Sequence, residues 1–351
     1  MDCTDQPTDI RTGEELDQER LETWLKDTLP GLNGPLTLQQ FPSGHSNLTY
    51  LIRVGKQEMV LRRPPFGTKP KNAHDMTREY NILKALKPVF PYVPNPLAHC
   101  DADEVMGCPF YVMERLQGII LRREIPPKLN LSPDQIRRLF EKHVEIQYEL
   151  HVLDYEKIGL GDLGRPAGYV QRQVSGWSKR YRNARTPDAP EYEQIMAWLD
   201  AHMPEDSPNS GIIHNDFKFD NLVLDPKNPL IIKGVLDWEM TTIGDPLMDL
   251  GCTLAYWVEK DDSPAYHAVR NLPTHVDGAL TRKGMVAHYE KISGRTIENM
   301  NFYHCFGLFR LAVIAQQIYY RFYHGQTQDP RFKQLIHVVQ ILEKAAERVM
   351  N

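Results

Sequence analysis

The chain has 351 residues, too many for one small hydrophobic core, so we expect two domains or lobes. Hydrophobic residues make up 41% of the sequence and charged residues 25%, which is typical of soluble globular proteins. The net charge of -5 gives no reason to expect nucleic acid as a partner. Five scattered cysteines, without a Cys-x-x-Cys pair, argue against a disulfide framework and a zinc site and fit a reducing cytosol.

The N-terminus and the apolar runs favour a cytoplasmic protein. The first 20 residues are acidic and polar, unlike a secretory signal. No apolar run approaches the roughly 18 to 20 residues that a membrane span needs. The best candidate, LFRLAVIAQQIYYRF at 308–322, is interrupted by Arg310 and two glutamines. We therefore expect no membrane partner, while the oligomeric state stays open.

The first third of the chain predicts a small β-rich unit. Helical periodicity comes first and ends at a Pro-Gly pair, and strand-like runs follow, two of them joined by a short Gly-Lys-Gln turn. A second helix ends at a proline and precedes a further apolar strand. The predicted helices are 14–29 and about 73–87, and the predicted strands are 36–41, 47–54, 58–63 and 108–114.

The remainder of the chain is mostly helical in pattern. A long helix opens at Ser132, an N-cap residue followed by a proline at the first helical position. The other predicted elements are helices at about 191–202, 246–259, 280–292, 301–323 and 330–349 and short strands at 221–225 and 230–238. We therefore expect an α+β fold with an N-terminal lobe at 1–117 and a helical C-terminal lobe at 118–351.

The stretch GIIHNDFKFDN, residues 211–221, has the residue types of a phosphoryl-transfer loop. Such a loop needs a carboxylate to orient the substrate hydroxyl and, a few residues on, an oxygen ligand for Mg²⁺. Asp216 and Asn221 fit these roles, Lys218 could neutralise phosphate charge, and Asp237 closes an apolar run where a second metal ligand would lie. The alternative is an ordinary polar turn between apolar segments.

These residues carry a family resemblance. HNDFKFDN resembles the catalytic loop H-R-D-x-K-x-x-N of the protein-kinase-like superfamily. With LDWE downstream, it looks more specifically like the aminoglycoside phosphotransferase family. The nearest subgroup is related to the kinase-like domain fused to some acyl-CoA dehydrogenases. From about Phe41 onward, the resemblance implies a bilobal kinase-like fold and ATP and Mg²⁺ as cofactors. It implies Asp216 and Lys218 as catalytic residues and Asn221 and Asp237 as metal ligands.

The resemblance also implies a nucleotide clamp in the N-terminal lobe. The kinase strand motif V-A-I-K aligns with MVLR, which places Arg62 where the family usually has lysine, with Arg63 as an alternative register. Arginine binds phosphate as a fork and is not equivalent to lysine. Periodicity suggests the partner independently, because Glu79 lies within an apolar helical stripe and burying it unpaired is costly. The alternative is that Glu79 reaches water at the edge of the stripe.

Two more nucleotide contacts are implied by the family. The hairpin FPSGHSNLTY is not a G-x-G-x-x-G motif, but Ser46 and Asn47 could donate hydrogen bonds to phosphate, with a plain hairpin turn as the alternative. The segment after the last strand of this lobe would offer backbone groups to adenine, at Met113, Glu114 and Leu116. The sequence alone shows only that a strand ends there.

Several other polar residues have both a functional and a structural interpretation. His214 is favoured as a residue that holds the catalytic loop rather than as a general base. Asp245 and Asp249 begin a helix, where carboxylates cap, and in the family the second anchors the catalytic loop. Glu239 could contact a second metal or lie in a solvated turn. The aromatic and basic cluster Trp177–Arg182 could meet an anion, but an ordinary exposed segment is slightly favoured.

The favoured function is an ATP-dependent phosphotransferase acting on a small-molecule hydroxyl. A protein kinase is disfavoured, since only about a dozen residues separate Asp237 from Asp249 and there is no D-F-G or A-P-E motif. A pseudokinase without turnover is the alternative. Arg62 supports it, while retention of Asp216, Asn221 and Asp237 argues against it. The acceptor stays open between an aminoglycoside-like compound and a hydroxyacyl metabolite.

Overall fold

The computed structural model describes residues 4–42, 47–66 and 75–350. Contacts divide the chain into two compact units, which we call unit 1 and unit 2. Unit 1 comprises Met1–Ile120 and Leu222–Glu239, and unit 2 comprises Leu121–Asn221 and Met240–Asn351. The segment Leu222–Glu239, which the sequence analysis assigned to the C-terminal lobe, therefore groups with unit 1.

The strands form one larger sheet and two small ones, all antiparallel. The five-stranded sheet of unit 1 has the order β1-β2-β3-β5-β4, while β7 pairs with β8 and β6 pairs with β9. The strands are β1 (Leu36–Gln40), β2 (Leu48–Val54), β3 (Gln57–Arg63), β4 (Pro96–Cys100), β5 (Phe110–Glu114), β6 (Gly211–Ile213), β7 (Leu222–Leu224), β8 (Ile232–Val235) and β9 (Thr242–Gly244).

Most helices lie in unit 2. The longest, α10, contains 24 residues, and no helix in the described ranges is long and apolar enough to cross a membrane. The helices are α1 (Gln18–Thr28), α2 (Met76–Leu86), α3 (Asp103–Met106), α4 (Pro133–His151), α5 (Tyr169–Ala184), α6 (Glu193–Ala201), α7 (Pro246–Ala255), α8 (Pro264–Val269), α9 (Arg282–Ser293), α10 (Met300–Tyr323) and α11 (Leu335–Met350).

The core of unit 1 forms between α1 and the five-stranded sheet. Leu21 and Leu25, one helical turn apart on α1, are fully buried against the sheet. Alternate residues of β2, from Leu48 to Val54, complete this core, as the two-residue period of a strand requires. Gly55 turns β2 into β3 with φ +58°, and a Cβ there would lie 2.2 Å from a backbone oxygen, so the turn needs glycine.

The core of unit 2 is built around α10, which packs against α5, α7 and α11. The expected start of α4 is confirmed, with Ser132 and Gln135 forming a capping box. The expectation of an exposed segment at Trp177–Arg182 is wrong for its aromatic residues. This stretch belongs to α5, and Trp177 and Tyr181 are buried because they lie four residues apart on the face turned to the core.

Two glycines allow α7 and α10 to approach each other closely. A Cβ on Gly251 would lie 2.2 Å from the Tyr303 carbonyl oxygen, and a Cβ on Gly307 would lie 2.2 Å from the Gly251 carbonyl oxygen. No side chain fits at such distances, so the backbones of the two helices are in direct contact here. This contact fixes the position of α7, the helix on which the loop described next depends.

Candidate functional site

The loop at 214–221 in unit 2 is anchored by a buried carboxylate. It follows β6, and Asn215 adopts the left-handed conformation at φ +65°, which costs energy in a residue other than glycine. The Asn215 backbone N–H donates to Asp249 Oδ1 (2.5 Å) and the His214 N–H donates to Oδ2 (3.3 Å). His151 Nε2 lies 2.9 Å from the same Oδ2. Asp249 therefore anchors the loop backbone, as the resemblance implied.

Three residues on one face of α7 and at its end contact this loop. Asp249, Thr253 and Tyr256 are spaced by four and three residues, which places them on the same side of a helix. The Thr253 hydroxyl donates to the Phe217 carbonyl oxygen (2.9 Å), and the Tyr256 hydroxyl donates to Asp216 Oδ1 (2.7 Å). The loop is thus held at its backbone and at its carboxylate by a single element.

Asp216 is the most constrained side chain of the loop. Its Oδ2 accepts a hydrogen bond from Asn221 Nδ2 (3.0 Å) and lies 3.2 Å from Lys218 Nζ. Burial by itself raises the pKa of Asp216, but Lys218, Tyr256 and Arg310 outweigh burial, so the pKa is lowered. Asp216 is therefore a carboxylate at neutral pH, although most of it is shielded from water.

Lys218 stays charged in the same surroundings. Burial lowers the pKa of Lys218, yet the neighbouring Tyr256, Asp216 and Asp220 raise it well above the ordinary value. Its Nζ lies 3.6 Å from Asp220 Oδ2 and 4.7 Å from the centre of the Tyr256 ring. The side chain is only 18% exposed, so the loop holds a fixed cation beside its carboxylate.

Arg310 is a functional candidate that the sequence analysis missed. Its side chain is buried at 3% exposure and donates to Met240 Sδ (3.2 Å), and its guanidinium lies over the Trp177 ring at 5.2 Å. Within the described ranges, no carboxylate lies within the 4.0 Å of an ion pair with this guanidinium. The signal was present, because Arg310 interrupts the apolar run at 308–322.

Unit 1 carries the second group of predicted site residues, centred on Arg62. This side chain on β3 donates to Asp237 Oδ1 (2.9 Å) through Nη2, and its Nε lies 3.5 Å from Glu79 Oε1. Glu79, on α2, is 2% exposed, so the alternative that it reaches water is wrong. Burial raises the pKa of Glu79, and the Arg62 charge opposes that rise. The expected pairing of Arg62 with Glu79 is confirmed.

Asp237 follows β8 in a strained conformation. Its φ is +68°, a region that costs energy in a residue with a side chain and that is often found at functional sites. Nearby, Asn47 Nδ2 donates to Glu239 Oε2 (2.8 Å), and Arg62 Nη2 lies 3.9 Å from the same oxygen. Glu239 is thus paired within unit 1 rather than lying in a solvated turn. Ser46 lies outside the described residues.

The predicted adenine-binding segment lies at the end of β5. Met113 is buried and pairs with Val60 of β3. The Glu114 N–H donates to the Asn95 carbonyl oxygen (2.8 Å) and is therefore occupied. Leu116 lies beyond the strand, and its backbone makes no hydrogen bond within the described part of the chain. The Leu116 N–H is consequently a backbone donor that a ligand could use.

The predicted metal ligands have suitable donor chemistry. Asn221 uses its amide nitrogen on Asp216, which leaves the amide oxygen to face elsewhere. Asp237 uses one oxygen on Arg62 and is 34% exposed. No cluster of three or more His, Cys, Asp or Glu residues in the described ranges forms a preformed metal cage. Mg²⁺ does not need one, since it commonly takes one or two protein oxygens together with phosphate and water.

The predicted residues thus fall into two groups. Unit 2 brings together Asp216, Lys218 and Asn221. In unit 1, Arg62 contacts both Glu79 and Asp237. Asn47 joins this group indirectly, because it donates to Glu239, which also faces Arg62. Sequence reasoning missed Tyr256 and Arg310, the first because a contact across 40 residues leaves no local signal.

A small antiparallel sheet with a buried Arg–Glu pair, joined to a helical unit with this loop, defines the class of kinase-like phosphotransferases. Choline kinase from Cryptosporidium parvum shares the fold, with a TM-score of 0.62 over 95% of this chain at 13% identity. The sequence model described as "Phosphotransferase enzyme family" matches residues 37–279. The chain belongs to that family, and the predicted kinase-like α+β fold is confirmed.

The chain is also similar to individual proteins at higher identity. A Ralstonia eutropha JMP134 structure, provisionally assigned as an aminoglycoside phosphotransferase, is 30% identical, with a TM-score of 0.81 over 96% of this chain and 98% of that one. Human acyl-CoA dehydrogenase family member 11 is 33% identical over 332 residues, and mouse family member 10 is 34% identical over 328. Each alignment covers 93% of this chain, but the chain spans only 42% of the length of the human protein and 30% of the length of the mouse protein.

Proposed function

We propose that this chain is an ATP-dependent phosphotransferase that moves the γ-phosphate to a hydroxyl group of a small molecule. The acceptor oxygen forms a bond to phosphorus while the bond to ADP breaks and ADP leaves with the electron pair. The acceptor proton goes to Asp216. Such a reaction depends on positioning and on stabilising negative charge.

The observation that carries this proposal is the state of Asp216 in its loop. The Asp216 side chain is only 17% exposed and yet kept ionised by Lys218, Tyr256 and Arg310. A base in that state can orient an acceptor hydroxyl and take its proton. A turn that served only to reverse the chain would not need a half-buried carboxylate with three donors and a strained residue, Asn215, beside it.

Unit 1 is assigned to the nucleotide. Arg62 is a fixed cation whose fork of donors suits phosphate oxygens, and its pairing with Glu79 restricts its rotamers. The Leu116 N–H is the donor proposed for the adenine edge, while the buried Met113 would line the base. Asn47 is engaged with Glu239, so its role towards phosphate requires that contact to be exchanged.

Asn221 and Asp237 are the residues proposed to hold Mg²⁺. Both present oxygen donors, the type that this ion prefers. When bound, the ion would neutralise charge on the phosphate oxygens. Arg62 Nη2 donates a hydrogen bond to one oxygen of Asp237, which orients that carboxylate.

The acceptor is proposed to be a hydroxyacyl metabolite rather than an aminoglycoside. The relatives named as acyl-CoA dehydrogenase family members suggest the first class, while solved neighbours include a kanamycin complex and a hygromycin B complex. Arg310 is a buried cation close to Asp216 and has no ion pair within the described chain, whereas Lys218 is paired with Asp216 and Asp220. A polycationic acceptor would meet repulsion from Arg310, whereas a neutral or anionic one would not.

The test is ADP release from ATP and Mg²⁺ with a panel of acceptors. The panel contains hydroxyacyl thioesters, free hydroxy acids, choline, kanamycin and hygromycin B. Asp216→Asn should lower kcat by a factor of about 10² to 10⁴ with little change in the KM for ATP. Asp277→Asn serves as the matched control, since Asp277 is exposed and, among the residues that the structure describes, pairs with Lys260 alone.

The same measurement separates the enzyme from a pseudokinase. ADP release that requires Mg²⁺ and an acceptor, and that Asp216→Asn suppresses, supports the proposal. The proposal is rejected if ATP binds in a calorimeter but no panel compound yields ADP above the Asp216→Asn background. A preference for kanamycin over hydroxyacyl compounds would support the phosphotransferase reaction but show that the proposed acceptor class is wrong.

A further inference from the structure

The hydrogen bonds around Asp216 leave its two oxygens unequal. Oδ2 accepts from Asn221 Nδ2 (3.0 Å) and faces Lys218 Nζ (3.2 Å). Within the described residues, Oδ1 accepts from the Tyr256 hydroxyl alone (2.7 Å). A carboxylate oxygen has about two acceptor sites, so Oδ2 is filled and Oδ1 has one left. An incoming hydroxyl donor therefore finds its place on Oδ1, on the same oxygen as Tyr256.

Tyr256 is itself held firmly. It caps the C-terminus of α7, on the same side of the helix as Asp249 and Thr253, which anchor the loop backbone. Burial raises the pKa of Tyr256, and the Asp216 charge adds to that rise, so the phenol keeps its proton and remains a donor. Lys218 Nζ lies over its ring at 4.7 Å.

The remaining charged groups around Asp216 do not replace this contact. Arg310 acts on it through its charge, His214 Nδ1 accepts from the Asp216 backbone N–H (3.3 Å), and Asp220 pairs with Lys218. In the part of the chain that the structure describes, only the Tyr256 hydroxyl hydrogen-bonds to Oδ1. Without it, nothing would fix the rotation of the carboxylate about the side-chain bond except the two donors on Oδ2.

We propose that Tyr256 is the positioning residue of the catalytic carboxylate: its hydroxyl fixes Asp216 so that Oδ1 faces the acceptor hydroxyl. This inference rests on the proposed phosphotransferase function. Tyr256 acts through Asp216, and its removal disturbs the chemical step rather than nucleotide binding. The alternative is that Tyr256 serves only to pack under Lys218, which the ring alone would accomplish.

The first arm of the test is kinetic. Tyr256→Phe keeps the ring and removes only the hydroxyl, and we expect kcat to fall about tenfold or more while the KM for ATP is unchanged. Tyr181→Phe is the matched control, because the Tyr181 hydroxyl is also satisfied, by the Pro190 carbonyl oxygen (2.6 Å), but away from the loop. Wild-type kcat in Tyr256→Phe would overturn the inference.

A double-variant comparison separates positioning from packing. If Tyr256 acts through the carboxylate, adding Tyr256→Phe to Asp216→Ala should leave the residual rate unchanged, because the partner is already gone. A further fall of about tenfold in that background would show a general structural role and contradict the proposal.

The second arm does not need turnover. In a crystal structure of Tyr256→Phe we expect the Asp216 carboxylate to rotate or to occupy two rotamers, whereas in Tyr181→Phe it should stay in place. An unmoved carboxylate in Tyr256→Phe overturns the positioning role. If the wild-type protein releases no ADP with any acceptor, the proposed function fails, and this crystallographic arm still decides whether Tyr256 positions Asp216.

Discussion

Arg62 donates a hydrogen bond to Asp237 Oδ1 at 2.9 Å while its Nε faces the buried carboxylate of Glu79 at 3.5 Å. One guanidinium thus contacts the carboxylate of a residue on α2 and that of a residue after β8. Four acidic or potentially acidic groups surround it, and although burial lowers the pKa of Arg62, they raise it well above its usual value. The cation is therefore permanent, and its neighbours depend on it.

Removing Arg62 should destabilise unit 1 strongly. Arg62→Met leaves Glu79 buried without a counter-charge, which we expect to cost about 3 to 5 kcal/mol in the free energy of unfolding. The double variant Arg62→Met/Glu79→Met should recover much of that loss, since no unpaired charge remains.

Urea unfolding followed by tryptophan fluorescence measures this effect. Arg53→Met is the control on the neighbouring strand, because Arg53 is more exposed and its contact with Glu58 should contribute less than about 1 kcal/mol. Equal losses for Arg62→Met and Arg53→Met would show that the buried pair is not structurally important.

Asp249→Asn should loosen the loop at 214–221. Its carboxylate accepts from the backbone of His214 and Asn215 and from the side chain of Gln147, and an amide group would turn its NH₂ towards some of these donors. We expect a loss of about 3 kcal/mol in unfolding free energy and reduced kcat.

Asp245→Asn, on the same helix, is the matched control for this experiment. Asp245 caps α7 by accepting from the Leu247 N–H (2.8 Å), and asparagine caps helices equally well. The decrease in unfolding free energy caused by Asp245→Asn should stay below about 1 kcal/mol. Thermal unfolding of both variants, together with hydrogen exchange at the loop amides, checks the prediction. The prediction is wrong if the amides of residues 214–217 are equally protected from exchange in the two variants.

Buried histidines should make the protein sensitive to mild acid. His143 is fully buried among Phe217, Phe219 and Trp257, and burial lowers its pKa from 6.5 to about 3. Because the folded pKa is the lower one, protonation favours the unfolded chain. The stability is present above pH 6.5 and is lost as the pH falls from there towards 3.

The size of this effect follows from linkage. Between about pH 7.5 and 5.0, His143 should remove about 2 kcal/mol from the unfolding free energy. His143→Phe should reduce the pH dependence by that amount. His337→Gln should not, because His337 is exposed on α11. Urea titrations at both pH values provide the measurement, and parallel behaviour of all three proteins would refute the assignment.

Gly307→Ala should force α7 and α10 apart. The new methyl group would lie 2.2 Å from the Gly251 carbonyl oxygen, which is backbone and cannot rotate away. We expect a loss of about 1 to 3 kcal/mol and a fall in kcat, since α7 carries the loop anchors.

Gly176→Ala in α5 is the matched control for Gly307→Ala. Its methyl group would meet only the flexible Arg180 side chain at 3.5 Å, and alanine favours a helix more than glycine does. We therefore expect it to be neutral or to stabilise by up to about 1 kcal/mol. Thermal unfolding and the ADP-release assay compare the two variants, and a harmless Gly307→Ala would contradict the close backbone contact.

Sequence reasoning succeeded where a local rule applies. The start of α4 follows from Ser132 and the proline after it, and the burial of Glu79 follows from its place in an apolar stripe. The helix α5 was missed because its N-cap is Gly168, which offers no capping side chain. The strands β6 and β9 were missed because three residues are too few to show a period.

The candidate site likewise contains features that local sequence predicts and features that it does not. The spacing of Asp216 and Asn221 is a local pattern that can be read along the chain. The contact of Tyr256 with Asp216 depends on where α7 packs, and the burial of Arg310 depends on the helices around α10. Both features depend on tertiary packing. The sequence indicates only the burial of Arg310, because a charged residue there interrupts an apolar run.

The anchoring of the loop by α7 has a consequence for protein engineering. Because Asp249, Thr253 and Tyr256 all belong to the segment from α7 to its cap, residues 214–221 cannot be transplanted alone into a related scaffold. A chimera that receives the loop without 246–256 would place the Asp216 carboxylate on an unsupported backbone. The smallest exchangeable part of this half of the site is therefore the loop together with its helix, two segments that are separated in the chain and must be transferred together.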